Sequence, residues 1–85
     1  MTTVSNAAIL EAIADTMREL FEDDTLQVTP ELSRENEERW DSMNHLNIIF
    51  ALEARFGIRF GVTDVESIRT VGDLIAIVQD KLKAA

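Results

Sequence analysis

Asp41-Ser42-Met43-Asn44-His45-Leu46-Asn47-Ile48-Ile49-Phe50-Ala51-Leu52-Glu53-Ala54-Arg55-Phe56-Gly57 is the stretch on which the fold turns. Met43, Leu46, Ile49, Phe50 and Phe56 recur at helical spacing, and Leu52 broadens the band. Asp41 is a natural cap before the first turn, and Gly57 a natural stop just past Phe56. The spacing therefore predicts a helix over 42–56 with Ser42 at its start. Unpaired backbone N–H groups and the helix dipole favour an anion there, so a hydroxyl at that point is well placed to bear a phosphodiester. The Asp-Ser pair alone is too short to mean more than an ordinary cap.

The flanking segments extend the pattern. Residues 5 to about 21 read as a helix capped by Ser5, with Ile9, Ile13, Met17 and Leu20 on one face and Leu10 and Phe21 widening it. Residues 23–40 show no sustained period. Thr29-Pro30 disfavours helix and opens a short turn at Pro30-Glu31-Leu32. So long a loop in a small domain is usually functional or mobile, and Leu26, Val28 and Leu32 are expected to pin it to the core. Ile58-Arg59-Phe60-Gly61-Val62 alternates like a strand but has nothing to pair with, so it reads as an extended loop that tucks in Ile58 and Phe60. Residues 63–68 suit a single helical turn. Thr70 then caps a last helix, with Asp73 completing a capping box and Val71, Leu74, Ile75, Val78 and Leu82 as its apolar face. Lys81 and Lys83 sit near its C-terminus, where cations are favoured. The expected fold is all-α: a four-helix bundle with three main helices, one short helix and a long first loop, in a single domain over 1–85.

Composition narrows the function. A chain of 85 residues buries about 60–70% of its unfolded surface, enough for one modest core. It has no cysteine, hence no disulfide and no thiol chemistry of its own. Met1-Thr2-Thr3-Val4-Ser5 lacks the pattern of a secretory leader, and no apolar run approaches the ~20 residues of a membrane span. A cytoplasmic monomer is the default. The formal charge of -8 argues against a nucleic-acid partner and for basic protein surfaces. All of it falls in residues 11–41, which hold eleven acidic and three basic side chains, while the remainder is neutral. Such a run reads equally as a solvated face or as a docking surface.

Trp40-Asp41-Ser42-Met43, then Leu46, Ile49-Phe50-Ala51-Leu52-Glu53 and Phe56-Gly57-Ile58, resemble the attachment site and second helix of an acyl carrier protein. Met43 stands where that family's Asp-Ser-Leu motif has leucine. Ser67-Ile68-Arg69-Thr70-Val71-Gly72-Asp73-Leu74 is similar to the family's junction between its short and last helices. The resemblance runs from about Leu32 to Leu82, with a compatible first helix before it. It implies a phosphopantetheine arm, moved from coenzyme A to the Ser42 hydroxyl by a phosphopantetheinyl transferase. The arm's thiol would carry acyl cargo as a thioester between acyl-loading and acyl-processing enzymes, in fatty-acid, polyketide or other secondary-metabolite biosynthesis. On this reading the protein is a substrate and shuttle, not an enzyme. Asp41 helps present the serine to the transferase. Trp40, Met43, Asn44 and Asn47 are candidate partner contacts. Leu46, Phe50, Ile68 and Ile75 are candidate walls of an acyl cavity.

Two departures from the family stand out. Arg39 occupies a position where glycine is common. Asn44 and Asn47 replace acids, leaving Glu53 and Arg55 as the only charges over 42–56. Neutral amides cannot make the charge-assisted bonds that carboxylates make with arginine or lysine. A specialised carrier with dedicated partners is therefore expected.

Rival readings carry less. An aminoacyl or peptidyl carrier would use the same arm, and an acidic interaction module would use none. A small hydrolase would pair Ser42 with His45, three residues on, but no orienting third residue or oxyanion hole can be named. His45 is read instead as a surface polar residue near the arm. Trp40 is assigned to core or rim packing ahead of a contact beside the serine. Met43 and Phe50 are expected in the core rather than in a cofactor box. Glu22-Asp23-Asp24 and Glu35, Glu37 and Glu38 fit no calcium-loop pattern and read as solvated loop charges, with no metal site.

Overall fold

A computed structural model describes residues 4–84 and places four helices among them. α1 spans Asn6–Leu20, α2 Ser42–Phe56, α3 Val62–Ser67 and α4 Val71–Ala84. The expected all-α four-helix arrangement, with three main helices, one short helix and a long first loop, is the one observed. Met1-Thr2-Thr3, part of the stretch read as lacking a leader, and Ala85 lie outside the described residues. No helix among the described residues is long and apolar enough to cross a membrane.

The caps are those the sequence proposes. The Ser5 hydroxyl accepts from the Ala8 N–H at 3.1 Å, and an Asp41 carboxylate oxygen accepts from the Asn44 N–H at 2.9 Å. Thr70 and Asp73 form a reciprocal capping box. The Asp73 N–H donates to the Thr70 hydroxyl at 3.1 Å, and the Thr70 N–H to the Asp73 carboxylate at 3.2 Å. α1 and α2 end with the same left-handed device and different residues. At α2 it is Gly57, φ +66°, whose N–H and that of Ile58 both donate to the Glu53 carbonyl. At α1 it is Glu22, φ +53°, where the Asp23 N–H closes back onto the Arg18 carbonyl and Glu22 onto Glu19. A β-carbon is disfavoured in that conformation and glycine is not.

α1 packs against both α2 and α4. Ile9, Ile13 and Met17 of α1, Ile48, Ile49 and Leu52 of α2, and Val71, Leu74 and Val78 of α4 join in one cluster, with Ile68 from the α3–α4 junction. Each such side chain contributes about 1.5–3 kcal/mol of transfer free energy. The first loop is pinned as expected, with Leu26, Val28 and Leu32 packed against this cluster. It is also bonded to the start of α4. The Gly72 N–H donates to the Pro30 carbonyl and the Val71 N–H to Leu32, each at 2.9 Å, so the loop takes up donors the helix cannot satisfy itself. Ile58 is buried and Phe60 half-buried in the extended segment before α3, where the Phe60 N–H donates to Glu53 at 2.8 Å.

The buried face of α2 differs from the expected one. His45, Ile48, Ile49 and Leu52 point inward, whereas Met43, Leu46 and Phe50 are 74%, 44% and 60% exposed. α2 carries two apolar stripes, and the core takes the one that includes the histidine. His45 is thus no surface residue, and Trp40, 2% exposed, is no partner contact. The Trp40 indole N–H donates to His45 Nδ1 at 2.9 Å, and His45 Nε2 lies 2.9 Å from the Val65 carbonyl. Indole only donates, so Nδ1 must accept and Nε2 must carry the hydrogen. A chain of two bonds therefore joins the segment before α2, α2 itself and α3. α3 needs it, because α3 contributes no buried side chain. Asp64 adds a second tie, accepting from the Gly61 N–H and pairing with Lys81, each at 2.9 Å.

Two measurements check these points. Gly57→Ala should cost about 1 kcal/mol, while Glu22→Gly should gain up to about 1 kcal/mol by removing the same strain; denaturant unfolding reads both. Burial, reinforced by the Arg34 charge and opposed by the Val65 bond, pushes the His45 imidazole below its ordinary 6.5. The native state prefers the neutral ring, so its contribution is complete above 6.5 and shrinks as pH falls toward the lowered value. Asp23 and Asp64, both held below 3.8, lose theirs only at lower pH. His45→Leu orphans the Trp40 N–H and the Val65 carbonyl and should cost about 2–3 kcal/mol at neutral pH. The gap between wild type and variant should narrow between about pH 7.5 and 5; a gap constant across that range contradicts the assignment.

Candidate functional site

Ser42 is the first residue of α2 and is exposed. Among the described residues its hydroxyl makes no hydrogen bond, while neighbours on both sides are held. Asp41 spends its carboxylate on the Asn44 N–H. The Asn44 side-chain amide donates to the Arg39 carbonyl at 2.9 Å, and Asn47 donates to Asn44 at 3.2 Å. Trp40 is fixed by His45. As first-turn donors, the Ser42 and Met43 N–H groups have no partner within the helix.

Arg39, at the position where glycine is common in the family, is a clamp. Its guanidinium donates to Glu37 at 2.6 Å and to Asp23 at 3.0 Å and lies 5.4 Å from the centre of the Phe21 ring. Asp23 and Glu37 are therefore half-buried partners of an arginine, not the free solvated charges expected. The Thr25 hydroxyl first, and then Arg39, hold the Asp23 carboxyl below the usual carboxylate range. This cluster ties the end of α1 to the segment that leads into Ser42. The sequence offers one clue, an isolated arginine amid the four acids of the run Glu35 to Asp41, but Arg39 reads there only as a departure from the family's glycine.

The candidate cavity residues do not share a cavity. Ile68 is fully buried beneath a cleft beside the first loop, Ile75 borders a groove between α1 and α4, and Phe50 edges a third depression near Gly57. Leu46 lines none of these. The structure instead brings Met43, Leu46 and Phe50 together as an exposed apolar stripe running away from Ser42, with spacing i, i+3, i+7. The Ser42–His45 hydrolase pair fails on geometry. His45 commits Nδ1 to Trp40 and Nε2 to Val65, so no ring nitrogen remains to take a proton from Ser42.

Comparison with known proteins agrees with this arrangement. A family model described as the phosphopantetheine attachment site matches residues 8–78. Acyl carrier protein 2 of Ralstonia nicotianae is 35% identical over 81 residues, covering 95% of this chain and 100% of that protein. An acyl carrier protein of Helicobacter pylori is 33% identical over 73 residues, covering 86% of this chain and 94% of its own length. In shape, the holo acyl carrier protein of Geobacter metallireducens superposes with a TM-score of 0.80 at 34% identity, over 89% of this chain and 87% of that one. The acyl carrier protein of Thermotoga maritima gives 0.80 at 25% identity, over 93% and 92%. With the family's model running from α1 into α4 and its members aligned nearly end to end, the chain belongs to the acyl carrier protein family, and its prosthetic group is phosphopantetheine.

Proposed function

We propose that Ser42 is the attachment point of the phosphopantetheine arm and that the chain works as one carrier domain, presenting acyl cargo to enzymes along the exposed face of α2. The observation that carries this reading is the Ser42 hydroxyl: exposed, unpartnered and at the head of a helix. The residues there fit the group. A phosphodiester on Ser42 would meet the free first-turn N–H groups and the positive end of the helix. Asp41 has its charge partly spent on the Asn44 N–H, which lessens its repulsion of the phosphate. Bound there, the arm supplies the thiol that this cysteine-free chain lacks.

The chain's own residues position rather than react. Arg39, Trp40 and Asn44 hold the segment before the serine from three sides, so the hydroxyl is offered to a transferase in a fixed place. Beyond it, α2 presents Met43, Leu46 and Phe50 with almost no charge. Its one acid, Glu53, turns back to the Phe60 N–H. An apolar face with neutral amides at its rim suits partners that dock by burying apolar surface, in a specialised pathway rather than with the housekeeping enzymes of fatty-acid synthesis. A cytoplasmic location belongs to the same reading.

Incubation with coenzyme A and a broad-specificity transferase should add one phosphopantetheine, seen by mass, that Ser42→Ala abolishes. Absence of an adduct on folded protein would favour an interaction module without an arm. Phe50→Ser should leave stability within about 0.5 kcal/mol, because the ring is exposed. It should lower kcat/KM with a dedicated partner about tenfold, as for the loss of an apolar anchor. The wild-type rate should change little between about 0.05 and 0.5 M salt, since few exposed charges are involved. Efficient turnover by housekeeping fatty-acid enzymes would count against specialisation.

A further inference from the structure

Arg34 and Arg69 meet where the first loop joins the α3–α4 junction. Ser33 and Thr70 form an isolated antiparallel bridge, and the Arg34 N–H donates to the Arg69 carbonyl at 3.0 Å. That register sets Arg34 directly opposite Arg69, on one face of the short ladder. Like charges so placed repel unless something negative lies between them. Among the described residues neither guanidinium has a carboxylate partner; Arg55, Arg59 and Lys83 have none either, but they are not set opposite one another across a bridge as these two are. In a chain with 16 acids and 8 bases, two adjacent unpaired arginines are not explained by a shortage of carboxylates.

Both arginines line one open cleft of about 540 Å³. Ile68, fully buried, is its apolar base, and Glu35 and Glu66 stand in its wall without pairing to either arginine. The cleft is linked to the head of α2: Glu66 in its wall follows Val65, whose carbonyl lies 2.9 Å from His45 Nε2, and His45 sits one turn from Ser42.

Resting on the reading that Ser42 bears the arm, we propose that this cleft receives the far end of the tethered cargo and favours an acyl group that ends in a carboxylate. The guanidinium fork matches a planar carboxylate in two parallel bonds. The two glutamates hold the cleft's formal charge at zero, which tolerates one added negative charge better than the two of a phosphate. Tethering makes even a weak site sufficient, because a short flexible link holds its end at an effective concentration on the order of millimolar.

The test compares two cargoes alike in length. The protein is loaded on Ser42 with glutaryl or pentanoyl phosphopantetheine from the matching coenzyme A esters, and each adduct is confirmed by mass. Proton–nitrogen NMR spectra are then compared with those of the free-thiol form. The glutaryl form alone should shift the arginine Nε signals of Arg34 and Arg69 and the backbone amides of residues 33–35 and 68–70. Arg34→Gln combined with Arg69→Gln should abolish those amide shifts. Equal shifts from both cargoes would overturn the proposal by showing an apolar cleft without selection. Arginine shifts already complete in the free-thiol form would overturn it in favour of the arm's own phosphodiester. No shift with an adduct in place defeats the cleft assignment alone, while no adduct on Ser42 defeats the attachment reading and this one with it.

Discussion

The two-bond chain from Trp40 through His45 to Val65 is the constraint on which the rest of the structure depends. It is buried, and every member is satisfied: indole donates, imidazole accepts and donates, carbonyl accepts. Such a group is costly when broken, because each orphaned atom forfeits its hydration, roughly 1–3 kcal/mol apiece. It selects one rotation of α2 about its axis. With His45 inward, Ile48, Ile49 and Leu52 follow into the core, and Met43, Leu46 and Phe50 are left outside. The exposed stripe beside Ser42 is thus a consequence of where the histidine goes.

The same chain accounts for α3. A helix of 6 residues that packs only the half-buried Val65 against the core gains little from packing. Its position comes from the Val65 carbonyl on His45, from Asp64 between Gly61 and Lys81, and from Ile68, buried just after it. The first loop solves a related problem at the other side of the junction. Pro30 and Leu32 supply carbonyls to the first N–H groups of α4, and Arg34 bonds to Arg69, so a loop without secondary structure becomes the cap of a helix. The long segment is ordered by what it completes.

Much of the fold was legible because its signals were local. Ser5, Asp41, Gly57, Thr70 and Asp73 mark helix ends by their own side-chain chemistry, and all five act as read. The face of α2 was not, because two stripes of similar hydrophobicity overlap on one helix and periodicity cannot rank them. The choice rests on a tertiary contact between residues 40, 45 and 65. His45 was misplaced for the same reason: a lone histidine near a serine reads as polar surface until its indole partner is seen. Arg39 shows the converse, a departure from the family's glycine whose partner Asp23 lies sixteen residues away and is invisible to local pattern. Ser42 itself was legible, since its exposure follows from being the first residue after a cap.

The placement of charge shapes how such a carrier meets its partners. Asp41 and Asp73 are spent on caps, Glu53 on the Phe60 N–H, Asp64 on Lys81, and Asp23 and Glu37 on Arg39. The acids that remain free on α1 and the first loop can raise the local potential, but α2 itself offers a partner almost nothing charged. Burying Met43, Leu46 and Phe50 together would yield a gross gain of about 4–6 kcal/mol, discounted for what is already half-covered. Association costs several kcal/mol in lost motion, so the surplus from this stripe alone is small. Under the proposed docking through this stripe, weak, short-lived contact follows. A shuttle requires that, because a carrier that must leave each enzyme after each delivery is served by a face that desolvates readily and holds briefly.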